Sequence, residues 1–217
     1  YSYVGIPVWE TYNGGVPWRK EWDTYIWNGK YYTLQNRSFS QPEYRFQAAY
    51  DGDNYSVKGD YERAMESYER VILSDGLQGF SPERAKYIKD LFWIDYFNPT
   101  LPSLPPNDPD GYPNLAAYAR YRILLIDILR GQHKQAQVDY ASLLKEYPEG
   151  SPGSVYALVA RAFMEEDQNS NSIAQACNEV IDFVNLNSEA VFTYLGIDGY
   201  MGMYLPKYTA QDVCPFK

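Results

Sequence analysis

Residues capable of acid–base, nucleophilic or metal chemistry are few in this 217-residue chain, and their spacing does not form a catalytic set. The one histidine, His133, stands beside Lys134 in a stretch whose pattern is typical of a turn between helices. A Ser–His or Cys–His mechanism needs an activated nucleophile, and the sequence has no Gly-x-Ser-x-Gly motif. The acidic run 165–167 is interpreted as a solvated helix end. These residues predict a protein that is not an enzyme and that uses no cofactor.

One segment has the spacing of a calcium-binding loop. Asp51, Asp53 and Glu62 fall at positions 1, 3 and 12 of an EF-type loop. Tyr55 and Ser56, however, occupy positions 5 and 6, where such a loop has an oxygen ligand and an invariant glycine. The alternative interpretation places Tyr55 inside a helix, and the two exclude each other. The helical interpretation is preferred, and no metal site is predicted.

The two cysteines, Cys177 and Cys214, stand in no metal-ligand spacing and in no CxxC motif. In an exported protein such a pair is expected to form a disulfide. The bond would close a loop of roughly 40 residues. Because it restricts the unfolded chain, it would stabilise the folded protein by on the order of 4 kcal/mol. The alternative is two unrelated buried thiols. The sequence opens on Tyr1 rather than methionine, which we interpret as a processed or trimmed start, consistent with export.

Aromatic residues are unusually numerous, with 23 tyrosines and 5 tryptophans. Tyrosine and tryptophan combine a large apolar body with a polar tip, which suits exposed binding faces, although grooves between helices use the same residues. Four tryptophans fall within the first 27 residues, and we take them as candidate partner-binding aromatics. They are Trp9, Trp18, Trp22 and Trp27.

The formal net charge of −9 argues against nucleic acid and anionic membrane partners, because both need clustered Lys and Arg. The charge is uneven along the chain. Residues 1–41 hold four bases and three acids, a net of +1, so the remaining residues carry a net of −10. No apolar run reaches the length of a membrane span. The acidic part is interpreted as a solvated surface.

The elements that position these residues follow from local patterns. Asn28-Gly29 between two β-prone runs, within 24–34, predicts a hairpin closed by a type I′ turn. Because a lone hairpin is marginal in water, it must pack on the helices, pair with the strand-like Tyr3–Trp9 segment, or pair with another chain.

From Pro42 the hydrophobic period becomes helical. Helices are predicted over about 42–57, 61–74, 81–97, 114–130, 133–147, 153–166 and 172–184, with an irregular last helix over 188–204. The proline-rich stretch 98–113 is predicted to be an extended crossover, since the residue before each proline is pushed to extended geometry. Asp108 and Asp110 in it are a second, weaker calcium candidate. Residues 167–171 are predicted to be a polar turn, and 205–217 a coil.

A repeat with an offset of 72 residues relates the first two predicted helix pairs. It joins Gly59 to Gly131, Ala64 to Ala136, Tyr68 to Tyr140, Val71 to Leu143 and Gly76 to Pro148. Glycine permits the turn, alanine allows close helix approach, the aromatic fills the groove and proline ends the helix. These positions resemble the consensus of tetratricopeptide (TPR) repeats. The early consensus tryptophan is absent from both units, where Ala48 and Arg120 stand instead.

The TPR resemblance implies an α-solenoid of helical hairpins that binds proteins. The C-terminal sequence 212–216 and the stretch 44–64 also resemble exported bacterial TPR-containing proteins and lipoproteins, which implies an extracellular or cell-envelope location. The predicted organisation is a β segment 1–41, helical units 42–97 and 114–205, a crossover 98–113 and a tail 206–217.

We expect a non-enzymatic scaffold that binds a protein partner or its own copies. One alternative is a subunit of an extracellular filament or surface layer, whose N-terminal strands pair between neighbours. The other is a surface protein that binds glycans by stacking them on the four tryptophans.

Overall fold

The computed structural model describes residues 19, 21–79, 111–195 and 208–216. In these ranges two antiparallel strands precede a set of helices, so the predicted mainly helical class with a small N-terminal β-hairpin is confirmed. The strands are β1, Glu21–Trp27, and β2, Tyr32–Phe39. The helices are α1, Arg45–Val57; α2, Tyr61–Leu73; α3, Gly111–Leu129; α4, His133–Glu146; α5, Ser154–Ser170; α6, Ile173–Leu186; α7, Ser188–Phe192; and α8, Ala210–Val213.

The β-hairpin is present, but its predicted type I′ turn is wrong. Trp27 pairs with Tyr32, so the loop has four residues rather than two. The Asn28 side-chain oxygen accepts hydrogen bonds from the backbone N–H groups of Lys30 and Tyr31, each at 3.0 Å. Gly29 has a φ of 97°, whereas Asn28 does not adopt a positive φ. The asparagine therefore shapes the loop through its side chain rather than through a left-handed backbone.

Two helical hairpins, α1–α2 and α3–α4, are closed by the same turn at the 72-residue offset. Gly59 and Gly131 adopt left-handed φ values of 76° and 72°. Each donates its N–H to the carbonyl three residues back, at 3.0 and 2.9 Å. The next residue in each turn donates to the carbonyl five residues back, at 2.9 and 2.7 Å. These two bonds define a Schellman motif, which satisfies the last carbonyls of the helix and needs glycine at the left-handed position.

The other repeated positions also correspond, with one exception. Ala64 and Ala136 are fully buried. Tyr68 is fully buried, whereas Tyr140 is only partly buried beside the core. Pro148 lies just past the end of α4 on the surface, as expected of a residue that cannot continue a helix.

Helix α3 is the centre of the described core. It contacts α1, α2, α4 and α5 and buries fourteen of its nineteen residues, on all sides of the helix. A helix surrounded in this way needs no polar face, which explains why its sequence lacks a clear amphipathic period. Most of the remaining helix contacts join neighbours in the chain, such as α5 with α6, but α5 also contacts α7 and α6 also contacts α8.

Helix α1 begins at Arg45, three residues later than the prediction that it starts at Pro42. The reason is backbone pairing: Glu43 accepts a hydrogen bond from the Gln78 N–H at 2.8 Å, and Arg45 donates to the Gln78 carbonyl at 3.0 Å. This pairing keeps the preceding residues extended.

Helix α3 begins at Gly111, earlier than predicted, and includes Pro113. Proline is tolerated there because N–H groups of the first helical turn have no partner within the helix. Helix α5 continues through the predicted polar turn to Ser170 and stops at Asn171, which has a left-handed φ of 51°.

The C-terminal residues also differ from the prediction. The predicted coil 205–217 contains the short helix α8, which is capped by Thr209. Helix α7 spans only five residues of the predicted helix 188–204, and 196–204 lie outside the described residues. The predicted helix 81–97, the crossover up to residue 110 and the Tyr3–Trp9 segment also lie outside them.

Two glycine-to-alanine variants separate backbone strain from steric clash. At Gly131 nothing lies within 4 Å of the position that a Cβ would take. Gly131→Ala should therefore lower the free energy of unfolding by about 1 kcal/mol, the cost of holding alanine in a left-handed backbone conformation. At Gly153, with φ 90°, a Cβ would stand 2.7 Å from the Tyr147 ring, 2.8 Å from the Pro113 carbonyl oxygen and 2.9 Å from the Ala117 Cβ. Gly153→Ala should therefore lower the free energy of unfolding by at least about 1 kcal/mol more than Gly131→Ala. Urea denaturation checks this order, and equal losses would contradict the close packing at Gly153.

Candidate functional site

The β-hairpin carries a cluster of exposed apolar side chains at its free end. We call this cluster the aromatic tip, and its members are Trp27, Tyr31, Tyr32 and Leu34. Their exposed fractions are 52, 57, 48 and 48%. Trp27 and Tyr32 are directly paired across the strands, with ring centroids 5.2 Å apart and the planes tilted by 58°. Leu34 pairs with Tyr25 on the same face. Side chains of this size are seldom left in water without a binding role.

A β-bulge separates the aromatic tip from the base of the hairpin. Thr24 pairs with Asn36 and Tyr25 pairs with Leu34, so Gln35 is the extra residue. Below the bulge, the Arg37 guanidinium holds the Asp23 carboxylate with two hydrogen bonds of 2.8 Å. The bulge therefore separates this ion pair, on the half of the hairpin near the helices, from the aromatic tip.

The hairpin joins the helices at one small junction. Arg19 forms an ion pair of 2.5 Å with Asp51 on α1 and also donates to the Ser40 carbonyl. The ring of Phe39 packs edge-on against Tyr50 of α1 at 6.5 Å. Among the described elements, the two strands pair with each other and touch the helices only marginally. The edges of both strands are accordingly unpaired within the described residues.

A second group of polar residues is buried inside the helical body. We call Asp53, Ser56, Tyr68, Tyr118 and Arg122 the polar cluster. Asp53 accepts hydrogen bonds from the Tyr68 hydroxyl at 2.6 Å and from the Tyr118 hydroxyl at 2.9 Å. Arg122, which is completely buried, lies 3.3 Å from the Asp53 carboxylate. Its Nε donates to the Tyr68 hydroxyl and its Nη2 to the Ser56 hydroxyl.

Burial and neighbouring groups shift the pKa of Arg122 and of the two tyrosines in the polar cluster. Burial alone lowers the pKa of Arg122, but neighbouring Tyr118, Tyr68 and Asp53 raise it well above its ordinary value. Burial raises the pKa of the Tyr68 and Tyr118 hydroxyls well above their usual range. The tyrosines therefore remain neutral donors and Arg122 remains a cation. A cluster so well satisfied and so far from solvent is unsuited to proton transfer with a substrate.

The segment that looked like a calcium loop contributes to this cluster instead. Asp51 and Asp53 lie within α1, so the calcium interpretation is wrong and the helical one is confirmed. Gly52 lies against the ring of Tyr68, because a Cβ there would stand 2.5 Å from that ring. In the part of the chain that the structure describes, no group of three His, Cys, Asp or Glu side chains is placed to hold a metal ion.

The predicted disulfide is present. Cys177 of α6 and Cys214, which follows α8, are bonded with their Cα atoms 5.2 Å apart. Both residues are 2% exposed, so the bond lies inside the body. It ties residues 208–216, here called the tail segment, to the third helical hairpin, α5–α6.

The sequence-predicted aromatics divide into two groups. Trp22 and Trp27 are 48 and 52% exposed on the hairpin, on opposite faces. Trp9 and Trp18 lie outside the described residues. His133 is an exposed first residue of α4 and contacts none of the other candidates. Arg122 was not among the predicted site residues, although an arginine inside the apolar run 114–129 is itself a signal of a buried partner.

Comparison of the chain with protein-family models, with curated proteins and with solved structures finds no match. None of the described helices is long and apolar enough to cross a membrane.

The buried carboxyl of Asp127, beside the half-buried Asp139 near the second turn, predicts a pH-dependent contribution to stability. Burial, together with the hydrogen bond and the charge of Asp139, raises the pKa of Asp127 to about 6, while Arg130 acts in the opposite direction. The folded protein therefore holds a proton that the unfolded chain releases near pH 4. The contribution of Asp127 to the free energy of unfolding is therefore lost as pH rises from about 4 to 6. Asp127→Asn should remove that loss and stabilise the fold by about 1–3 kcal/mol at pH 7.

Thermal melts at pH 4 and pH 7 check this effect. The increase in melting temperature caused by Asp127→Asn should be larger at pH 7 than at pH 4. The control Asp182→Asn, on the exposed side of α6, should change the melting temperature little at either pH. A gain of the same size at both pH values would contradict a protonated Asp127.

Proposed function

We propose that this chain is a non-enzymatic scaffold whose TPR-like helical hairpins carry a β-hairpin that binds a protein partner or a second copy. The observation that carries the proposal is the aromatic tip, four half-exposed apolar side chains at the end of a hairpin whose strand edges are open within the described residues. Together they leave roughly 400 Å² of apolar surface, which is the size of patch that usually has a binding role.

The open edges favour a protein ligand over a small molecule. A strand of a partner can add to an open edge through main-chain hydrogen bonds, while the aromatic tip supplies apolar contacts. The charge of the hairpin supports the same interpretation, because residues 21–39 hold two acids and two bases and so carry no net charge. The acidic helical body does not repel a partner that docks on this neutral projection.

The helical body supports the TPR-like part of the proposal. The first two hairpins share one turn structure, and α1, α3 and α5 pack on one another in succession. Helices α2, α4 and α6 each contact their own hairpin partner, and these contacts support the proposal of stacked helical repeats. The Cys177–Cys214 disulfide supports export, since such bonds persist in oxidising compartments.

A subunit of an extracellular filament or surface layer is the second candidate, and the open strand edges favour it. In that case the hairpin of one copy pairs with a neighbouring copy. Glycan binding has less support, because the tilted rings of Trp27 and Tyr32 do not form one flat platform for a sugar.

The aromatic tip can be tested with a matched pair of variants. Trp27→Ser/Tyr32→Ser should abolish binding or self-association while leaving the melting temperature unchanged, because these side chains contribute little to the described core. The control Leu73→Ser/Leu186→Ser removes side chains that are 73 and 87% exposed on the helical body, and it should behave like the unmodified protein.

Two measurements compare the tip variant with its control variant. Light scattering over a range of concentrations detects self-association, and a photo-crosslinking residue at position 27 captures a protein neighbour, with position 73 as its control. Loss of association in the tip variant alone would support the proposal. A tip variant that is destabilised, or crosslinking no stronger at position 27 than at 73, would contradict it.

A further inference from the structure

The tail segment is attached to the polar cluster by hydrogen bonds that involve charged groups. Tyr208 donates its hydroxyl to the Asp53 carboxylate at 2.5 Å. The Nη1 atom of Arg122 donates to the backbone carbonyls of Asp212 and Val213, at 2.8 and 3.1 Å. Hydrogen bonds with one charged partner are stronger than those between neutral groups. The polar cluster is therefore a noncovalent anchor for the tail segment.

The disulfide follows directly after this anchor in the chain. It joins Cys214, the residue after Val213, to Cys177 of α6. Both cysteines are 2% exposed, and Val213 is fully buried. A thiol reductant must reach and attack one of the two sulfurs. Attack is therefore blocked while the tail segment lies in place, and the segment must move away first.

The tail segment can leave the helical body without unfolding it. Its helix, α8, has only four residues, so few backbone hydrogen bonds are lost. When the segment leaves, Asp53 still has the hydroxyl donors of Tyr68 and Tyr118, and Arg122 still lies beside Asp53. Local opening of a short segment of this kind costs less free energy than unfolding of the whole protein.

From these observations we infer that the Cys177–Cys214 disulfide is a redox-sensitive latch for the tail segment, and that the polar cluster sets how readily the latch opens. In the closed state the disulfide keeps the tail segment at its anchor, and the anchor keeps both sulfurs buried. Release of the tail segment exposes the sulfurs to a reductant. After reduction only noncovalent contacts hold the segment. The latch goes beyond the proposed binding function, since it uses neither the aromatic tip nor the strand edges.

Opening of the latch by a dithiol such as dithiothreitol takes two steps. A thiolate of the reductant attacks the Cys214 sulfur, the S–S bond breaks, and the Cys177 thiolate leaves. The second thiolate of the reductant then displaces the Cys214 thiolate and closes a disulfide within the reductant. The two protons of the reductant pass through water to the two protein thiolates. The protein disulfide is thereby reduced to two thiols, and the dithiol is oxidised.

The rate of reduction by dithiothreitol in the full-length protein, without denaturant, tests the latch. Tyr208→Phe removes one hydrogen bond to a charged acceptor and leaves both cysteines in place. Because this bond is lost when the tail segment leaves, its removal should raise the rate of reduction about tenfold. Val213→Ala shortens a fully buried side chain of the same segment and should also raise the rate. Alkylation of the new thiols, followed by mass spectrometry, gives the rate.

Two control variants distinguish release of the tail segment from other causes. Gln211→Ala changes an exposed residue of the tail segment and should leave the rate unchanged. Gly131→Ala weakens the turn between α3 and α4, outside the tail segment and the polar cluster. If reduction required unfolding of the whole protein, Gly131→Ala would raise the rate about fivefold. Release of the tail segment alone leaves the rate of this variant unchanged.

Hydrogen exchange before and after reduction provides a second readout. The amides of residues 208–216 should exchange faster in the reduced protein, while those of α3 should keep their protection. An unchanged reduction rate in both Tyr208→Phe and Val213→Ala would overturn the inference. So would a Gly131→Ala rate that rises as much as the rate of Tyr208→Phe, or a loss of protection in α3 equal to that in the tail segment. None of these variants alters the aromatic tip, so the outcome does not decide the proposed binding role of the hairpin.

Discussion

The ion pair between Arg122 and Asp53 is the interaction on which the described core depends. It lies where α1, α2, α3 and the tail segment meet, and each of these elements donates to or accepts from one of its two members. Removing one charge of such a pair leaves the other charge buried and uncompensated. The resulting loss of folding stability is larger than the net stabilisation that the intact pair provides. The pair therefore defines a single arrangement of these elements, because any displacement of one element leaves a buried charge unsatisfied.

Around this pair the helical body and the hairpin are built differently. The helical body is held together from within, by the polar cluster, the disulfide and the left-handed glycine turns. The hairpin instead extends from the body through a small junction at Arg19 and Asp51 and leaves its apolar end exposed. We propose that this projecting hairpin carries side chains for contact with another molecule rather than for the core.

Features set by local sequence could be predicted, and features set by tertiary contact could not. The turns at Gly59 and Gly131 and the cysteine pair follow from residue type and spacing. The four-residue hairpin loop depended on the side chain of Asn28, and the late start of α1 depended on pairing with Gln78, which is distant in sequence. Asp53 had the spacing of a calcium ligand, and only its buried contacts with α2 and α3 reveal its actual partners.

A double-mutant cycle on the ion pair tests the account most directly. Arg122→Met, Asp53→Asn and the double variant are compared with the unmodified protein by urea denaturation at pH 7. Because each single change leaves a buried polar partner uncompensated, we predict losses of about 3 kcal/mol for Arg122→Met and a coupling energy of about 2 kcal/mol or more. A double variant whose loss equals the sum of the two single losses would contradict the claim that this pair holds the helices and the tail segment together.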